Sequence, residues 1–112
     1  MATPKSAAQD LVELEAVIDA LPIYLTRSHL YISIPSPLDP AQQIPVSAGT
    51  AQDRVNALKA RGDLTVEQQA QLAGLAGRME ATRRLYPKQW DEKLASEMRS
   101  RTNVARQAAE ED

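Results

Sequence analysis

The sequence predicts a mainly α-helical single domain, 1–112. About four helices pack as a small bundle, interrupted by a short β-strand or ribbon (about 23–34) and a proline-rich arm (35–47). Three observations carry this. Apolar residues recur at spacings of three and four on both sides of the middle of the chain, as in helices with one buried face. Helix punctuation surrounds those runs, with Thr or Pro before them and Gly or Pro after them. Between Pro22 and Pro45 the character changes: five of the seven prolines, four of the five isoleucines, two of the three tyrosines and the one histidine fall there.

The first helix is expected over 4–21. Thr3 is its N-cap and Pro4 its first residue. Leu11, Leu14, Ile18 and Leu21 form the stripe, Val17 widens it, and Asp10, Glu13 and Asp19 fall away from its centre. Pro22 ends it. In the next stretch Leu30, Ile32 and Ile34 alternate with Tyr31 and Ser33, the period of a half-buried strand. Ile23, Tyr24 and Leu25 read as a first short strand turning at Arg27 and Ser28, as part of one extended strand, or, last in order, as a short helix. From 35 to 47 the proline density favours polyproline and turn conformations, with Ile44 and Val46 tacking the arm to the body.

The helical region resumes over 49–109. A helix from Gly49 or Thr50 to Arg61 presents Ala51, Val55 and Leu58, and Gly62 follows its end. The next starts after Thr65, whose spacing to Gln68 is that of a capping box. It carries Leu72, Leu75, Met79 and Tyr86, and Pro87 closes it. The last carries Trp90, Leu94, Met98 and Ala105 before an acidic tail, 110–112. The second, third and fourth helices are expected to form the bundle, with the first covering them or reaching a second chain.

Composition narrows the function. Eighteen alanines, no Phe and a single Trp make a thin supply of core material, which points towards a chain that completes its core against another. A net charge of -2 gives no general attraction to nucleic acid or an anionic membrane. Without cysteine there is no disulfide, thiolate nucleophile or zinc–thiolate site. No apolar run reaches membrane-spanning length, and the first ten residues carry no hydrophobic leader, so a soluble cytoplasmic protein is expected. No phosphate-binding, dinucleotide or HExxH motif occurs. His29 has no local carboxylate, and Ser28 beside it would point to the opposite strand face. No catalytic residue, metal ligand, cofactor or small-molecule substrate is therefore assigned.

Arg61-Gly62-Asp63 spells an integrin-recognition tripeptide but reads as an ordinary helix end. The ion pairs Glu80–Arg84 and Glu97–Arg101 have the order of exposed i, i+4 pairs. Gly74 and Gly77 each cost about 1 kcal/mol inside a helix, which calls for close packing of another helix, within the fold or across a dimer.

The expected function is non-enzymatic: a protein–protein interaction or assembly subunit binding a partner or its own copy. Tyr24, Leu30, Tyr31, Ile32, Ile34 and Ile44 are the candidate contact residues, with the strand adding to a sheet edge and the proline arm lying across the partner. The alternative is a small nucleic-acid-associated protein. It would use Arg83, Arg84 and Lys88 for phosphate and Trp90 for base stacking.

Overall fold

The computed structural model describes residues 5–110, with side chains for 5–101. The expected cap at Thr3 and Pro4, the side chain of Ala105 and the last residues of the acidic tail lie outside them. The chain forms four helices, α1 (Ala7–Thr26), α2 (Ala48–Ala60), α3 (Val66–Leu85) and α4 (Pro87–Glu110). Between α1 and α2 lies an antiparallel pair, β1 (Ile32–Pro35) and β2 (Gln43–Val46). The fold is the expected helical bundle with a ribbon.

α1 begins at Ser6. Its hydroxyl accepts the Gln9 N–H at 3.2 Å, and the Gln9 side chain accepts the Ser6 N–H at 2.9 Å, closing a capping box. Contrary to expectation Pro22 lies inside α1, which runs on to Thr26. Proline removes the N–H that would reach the Ile18 carbonyl. The extra turn carries Tyr24 and Leu25 onto the face of Leu21, where both are buried, and burying two such side chains stabilises by about 1.5–3 kcal/mol each. The Thr26 hydroxyl donates to the Pro22 and Ile23 carbonyls at 3.0 and 3.1 Å. The expected strand at 23–25 is thus the last turn of a helix.

α1 is also the hub rather than the cover, since it packs against every other element. Its buried residues, from Leu11 and Leu14 through Val17, Ile18 and Leu21 to Tyr24 and Leu25, occupy more than one narrow stripe. They meet Val46, Ala51, Val55 and Leu58 on one side and Leu72, Leu75 and Met79 on another, with Trp90 in the same cluster.

The arm folds back as β2. Ile32 pairs with Val46, Ser33 with Pro45, Ile34 with Ile44 and Pro35 with Gln43. Ile32, Ile34, Ile44 and Val46 face the core. The Ser36 N–H donates to the Gln42 carbonyl at 2.9 Å, so the hydrogen-bonded pairs are 34/44 and 32/46 by alternation. Pro35 and Pro45 then fall where backbone groups point away from the partner strand. Each free edge carries one proline, a position where its missing N–H costs no ladder bond.

α2 starts at Ala48, one residue before the earlier of the two expected starts, with Ser47 as its N-cap and Thr50 completing a capping box. α3 starts at Thr65 with Gln68, as the spacing predicts. Gly62 follows α2 without a positive φ. Instead Arg61 holds the turn, meeting Asp63 and Asp10 at 2.8 Å and the Lys5 carbonyl at 3.1 Å. The Arg-Gly-Asp tripeptide is thereby folded onto itself and onto α1. Tyr86 ends α3, and its carbonyl accepts the Trp90 N–H at 2.9 Å to start α4, with Pro87 first in the new helix.

Candidate functional site

The residues nominated by sequence divide into three groups. Tyr24 and Ile44 are core residues at 0% and 6% exposure, so neither can serve as a contact: the first is carried inward by the added turn of α1, the second by its place on the inner hairpin face. Ile32 and Ile34 are half-buried against the core. Leu30 is half-buried, and Tyr31 is 41% exposed. The hairpin thus pairs within the chain and turns its isoleucines inward.

The start of α2 carries a dense cluster of hydrogen bonds. A helix leaves its first N–H groups without partners, and here they are buried. The Thr50 N–H donates to the Ser47 hydroxyl at 3.1 Å. The Gly49 N–H donates to the Glu97 carboxylate at 3.0 Å, and the Ser47 hydroxyl donates to its other oxygen at 3.0 Å. The Ala48 N–H lies beside the Tyr24 hydroxyl without a fully aligned bond. Burial pushes that phenol's pKa up, the Ala48 N–H opposes this, and the Glu97 charge adds to it. Arg101 closes the cluster at 3.0 Å from Glu97 and 3.5 Å from Asp53. The Glu97 charge, with the Tyr31 hydroxyl and Asp53, raises its pKa against the effect of burial. The expected exposed pair Glu97–Arg101 is therefore half-internal, with Glu97 wholly buried. Glu80 pairs with Arg83 at 3.5 Å rather than with Arg84.

Glu13 is the second buried carboxylate. It meets Lys5 at 2.6 Å and Arg54 at 3.6 Å, and accepts the Ser36 hydroxyl at 2.9 Å. The Ser36 hydroxyl in turn accepts the Leu38 N–H at 3.2 Å, tying the hairpin tip to α1. Burial raises the Glu13 pKa, but Lys5, Ser36 and Arg54 together outweigh it and hold it below the usual 4.5. A depressed folded-state pKa contributes stability above the unfolded value, and that contribution is lost as pH falls through the folded one. Glu13→Gln should therefore flatten the acid limb of stability below about pH 4.5. Urea titrations across that limb would check this, and an unchanged slope would remove Glu13 from the account.

A groove of about 410 Å³ opens between the end of α1 and α4, lined by residues that include Leu25, Ser28, His29, Leu30, Glu92 and Lys93. Lys93 is its structural pin. Its ammonium donates to the Arg27 and His29 carbonyls at 2.5 and 2.7 Å and lies 4.4 Å from the Tyr24 ring centre. A cation on the last carbonyls complements the helix end, and burial lowers its pKa. Among the described residues the His29 ring makes no hydrogen bond to Ser28 or Glu92. Nor does any group of three or more His, Cys, Asp or Glu side chains there suit a metal ion.

Arg83, Arg84 and Lys88 are exposed at the α3–α4 junction, but Trp90 is fully buried. It fills the core on the stripe it shares with Leu94, so no base can stack on it. No helix among the described residues is long and apolar enough to cross a membrane. No family model, curated protein or solved structure matches the chain.

Proposed function

We propose that this chain is a non-enzymatic protein–protein interaction or assembly subunit, an adaptor or accessory component that binds a partner or its own copy through the surface of its middle segment. One observation carries the reading. The hairpin folds onto α1 and leaves large apolar side chains outside: Ile23 at 50%, Val12 at 42%, and Leu38 and Tyr31 at 41% each. Val12, Ala16, Asp19 and Ile23 share one outward face of α1, by their spacing. A shallow depression of about 300 Å³ there is bounded by Val12, Glu15, Ala16, Asp19 and Pro37. Clustered exposed apolar surface marks interaction sites more than scattered residues do.

The partner docks by side chains rather than by adding a strand. Pro35 offers no donor on the free edge of β1, which breaks any added ladder after Ser33. The proline-bounded loop loses little entropy on binding because its conformations are already restricted. The absence of cysteine fits a reducing compartment, and we place the subunit in the cytoplasm.

The test is an Ile23→Asp, Leu38→Asp double variant, compared with the unmodified chain by light scattering after size exclusion and by cross-linking in native extract. Cross-links to the α1–hairpin face should be lost while the helical circular dichroism stays unchanged. Cross-links to that face that survive the two substitutions overturn the reading, as does an unmodified chain with no cross-linked neighbour there. Nucleic acid co-eluting in low salt and released in high salt would instead favour the basic junction of Arg83, Arg84 and Lys88.

A further inference from the structure

Among the described residues, the face of α3 turned away from the core has no partner. Leu72, Leu75 and Met79 point inward. On the opposite side Val66, Ala70, Gly74, Gly77, Ala81 and Leu85 form a stripe about 28 Å long at 1.5 Å rise per residue. Val66 is 82% and Leu85 76% exposed, the two most exposed large apolar side chains among the described residues. A Cβ built on Gly74 or Gly77 meets nothing within 4 Å. Packing inside the fold therefore does not account for two glycines that each cost a helix about 1 kcal/mol.

The stripe has a second property. Val66 and Leu85, Ala70 and Ala81, and Gly74 and Gly77 are each equidistant along the chain from the point between Leu75 and Ala76. Two copies of α3 crossing antiparallel about a two-fold axis at that point would bring each residue level with its counterpart. The large residues would close the two ends and the glycines would meet at the middle, where two backbones must approach most closely. A two-fold contact of this kind uses the same patch on both subunits, so one face must complement itself.

The charges agree with the same crossing. Glu67 lies near the start of α3 and Arg84 near its end. Neither makes an ion pair among the described residues. Antiparallel crossing brings Glu67 level with the oppositely charged Arg84 of the second copy, twice, and no level pair along α3 joins like charges. Parallel crossing would instead set Arg83 and Arg84 against themselves.

We infer that this chain forms an antiparallel homodimer through the outward face of α3, with the second copy as the occupant of that face. The inference goes beyond the interaction-subunit reading, because it places self-association on α3, apart from the middle-segment face. One helix pair is a small interface, below about 1,200 Å² in total, so the dimer is expected to be weak and concentration-dependent.

Sedimentation velocity over about 10 µM to 1 mM, the range suited to a contact this small, tests it. The unmodified chain should pass from monomer to dimer. Leu85→Asp, outside the core, should weaken the dimer roughly a hundredfold, tenfold for each of the two symmetry-related losses. Glu67→Arg and Arg84→Glu should each be monomeric alone, and their equimolar mixture should restore a dimer, since only the mixed pair has complementary charges at both ends. An unmodified chain that stays monomeric throughout overturns the inference while leaving hairpin-face binding untouched. So does a Leu85→Asp dimer of unchanged strength, or a mixture that fails to reassociate. Conversely, Ile23→Asp with Leu38→Asp should leave the α3 dimer intact.

Discussion

Gly49→Ala is expected to destabilise the fold by about 2–4 kcal/mol, the range for dislodging a hydrogen-bonded buried charge. A Cβ at position 49 would stand 2.5 Å from Glu97 Oε1 and 2.7 Å from its carboxyl carbon. Such an encounter is cheap when the neighbour is the free end of a flexible side chain. Here that end is wholly buried and held by the Ser47 hydroxyl, the Gly49 N–H and Arg101. Moving it leaves the N–H of residue 49 without its acceptor. Glu97→Ala removes the same acceptor and should also destabilise. The double variant Gly49→Ala, Glu97→Ala should cost clearly less than the sum of the singles, because the clash disappears with the carboxylate. Urea unfolding of the four proteins measures the coupling. Additive losses would show that the carboxylate does not fix the approach of α4 to α2.

Trp90→Ala is expected to cost about 3–5 kcal/mol. Trp90 is the largest fully buried side chain, and its indole N–H has no hydrogen-bond partner. The residue therefore acts through volume and area. Trp90→Phe, which keeps much of the ring and removes the unpaired donor, should be markedly milder. Denaturant unfolding followed by circular dichroism distinguishes the two. A loss under about 1 kcal/mol for the alanine variant would place the ring outside a packed core and restore it as a candidate for base stacking.

Much of the architecture was legible because local and tertiary preferences agree. Thr65 with Gln68, and Pro87 after Tyr86, place their helix ends by rules that depend on a few neighbouring residues. The failures occur where distant contacts override such rules. Pro22 is a helix stop by local chemistry, yet Tyr24 and Leu25 gain enough by burial to carry α1 past it. In β2 the alternation of Gln43, Ile44, Pro45 and Val46 is strand-like, but Pro45 argues against a strand unless it lies on an edge. The edge was not visible before the pairing was known.

The candidate surfaces were legible in a similar proportion. The middle segment does supply exposed apolar side chains, although Leu38 and Ile23 rather than Tyr24 and Ile44 are outside. The two buried carboxylates left a signal that helical spacing alone carries. Glu97 follows Trp90 and Leu94 on one stripe, and Glu13 precedes Val17 and Tyr24 on another, so each is an acid in an apolar register. The Lys93 groove left none, because 27–30 and 89–96 meet only in the folded chain.

The Glu97 bridge has a consequence for the birth of the protein. The Ser47 hydroxyl and the Glu97 carboxylate that it meets are 50 residues apart in sequence. At about 5–20 residues per second, a ribosome makes Glu97 roughly 3–10 s after Ser47. During that interval α1, the hairpin and, once it has been made, α2 (Ala48–Ala60) lack the group that completes the start of α2. The nascent domain therefore waits in an open state, and this is the period in which a chaperone would find it.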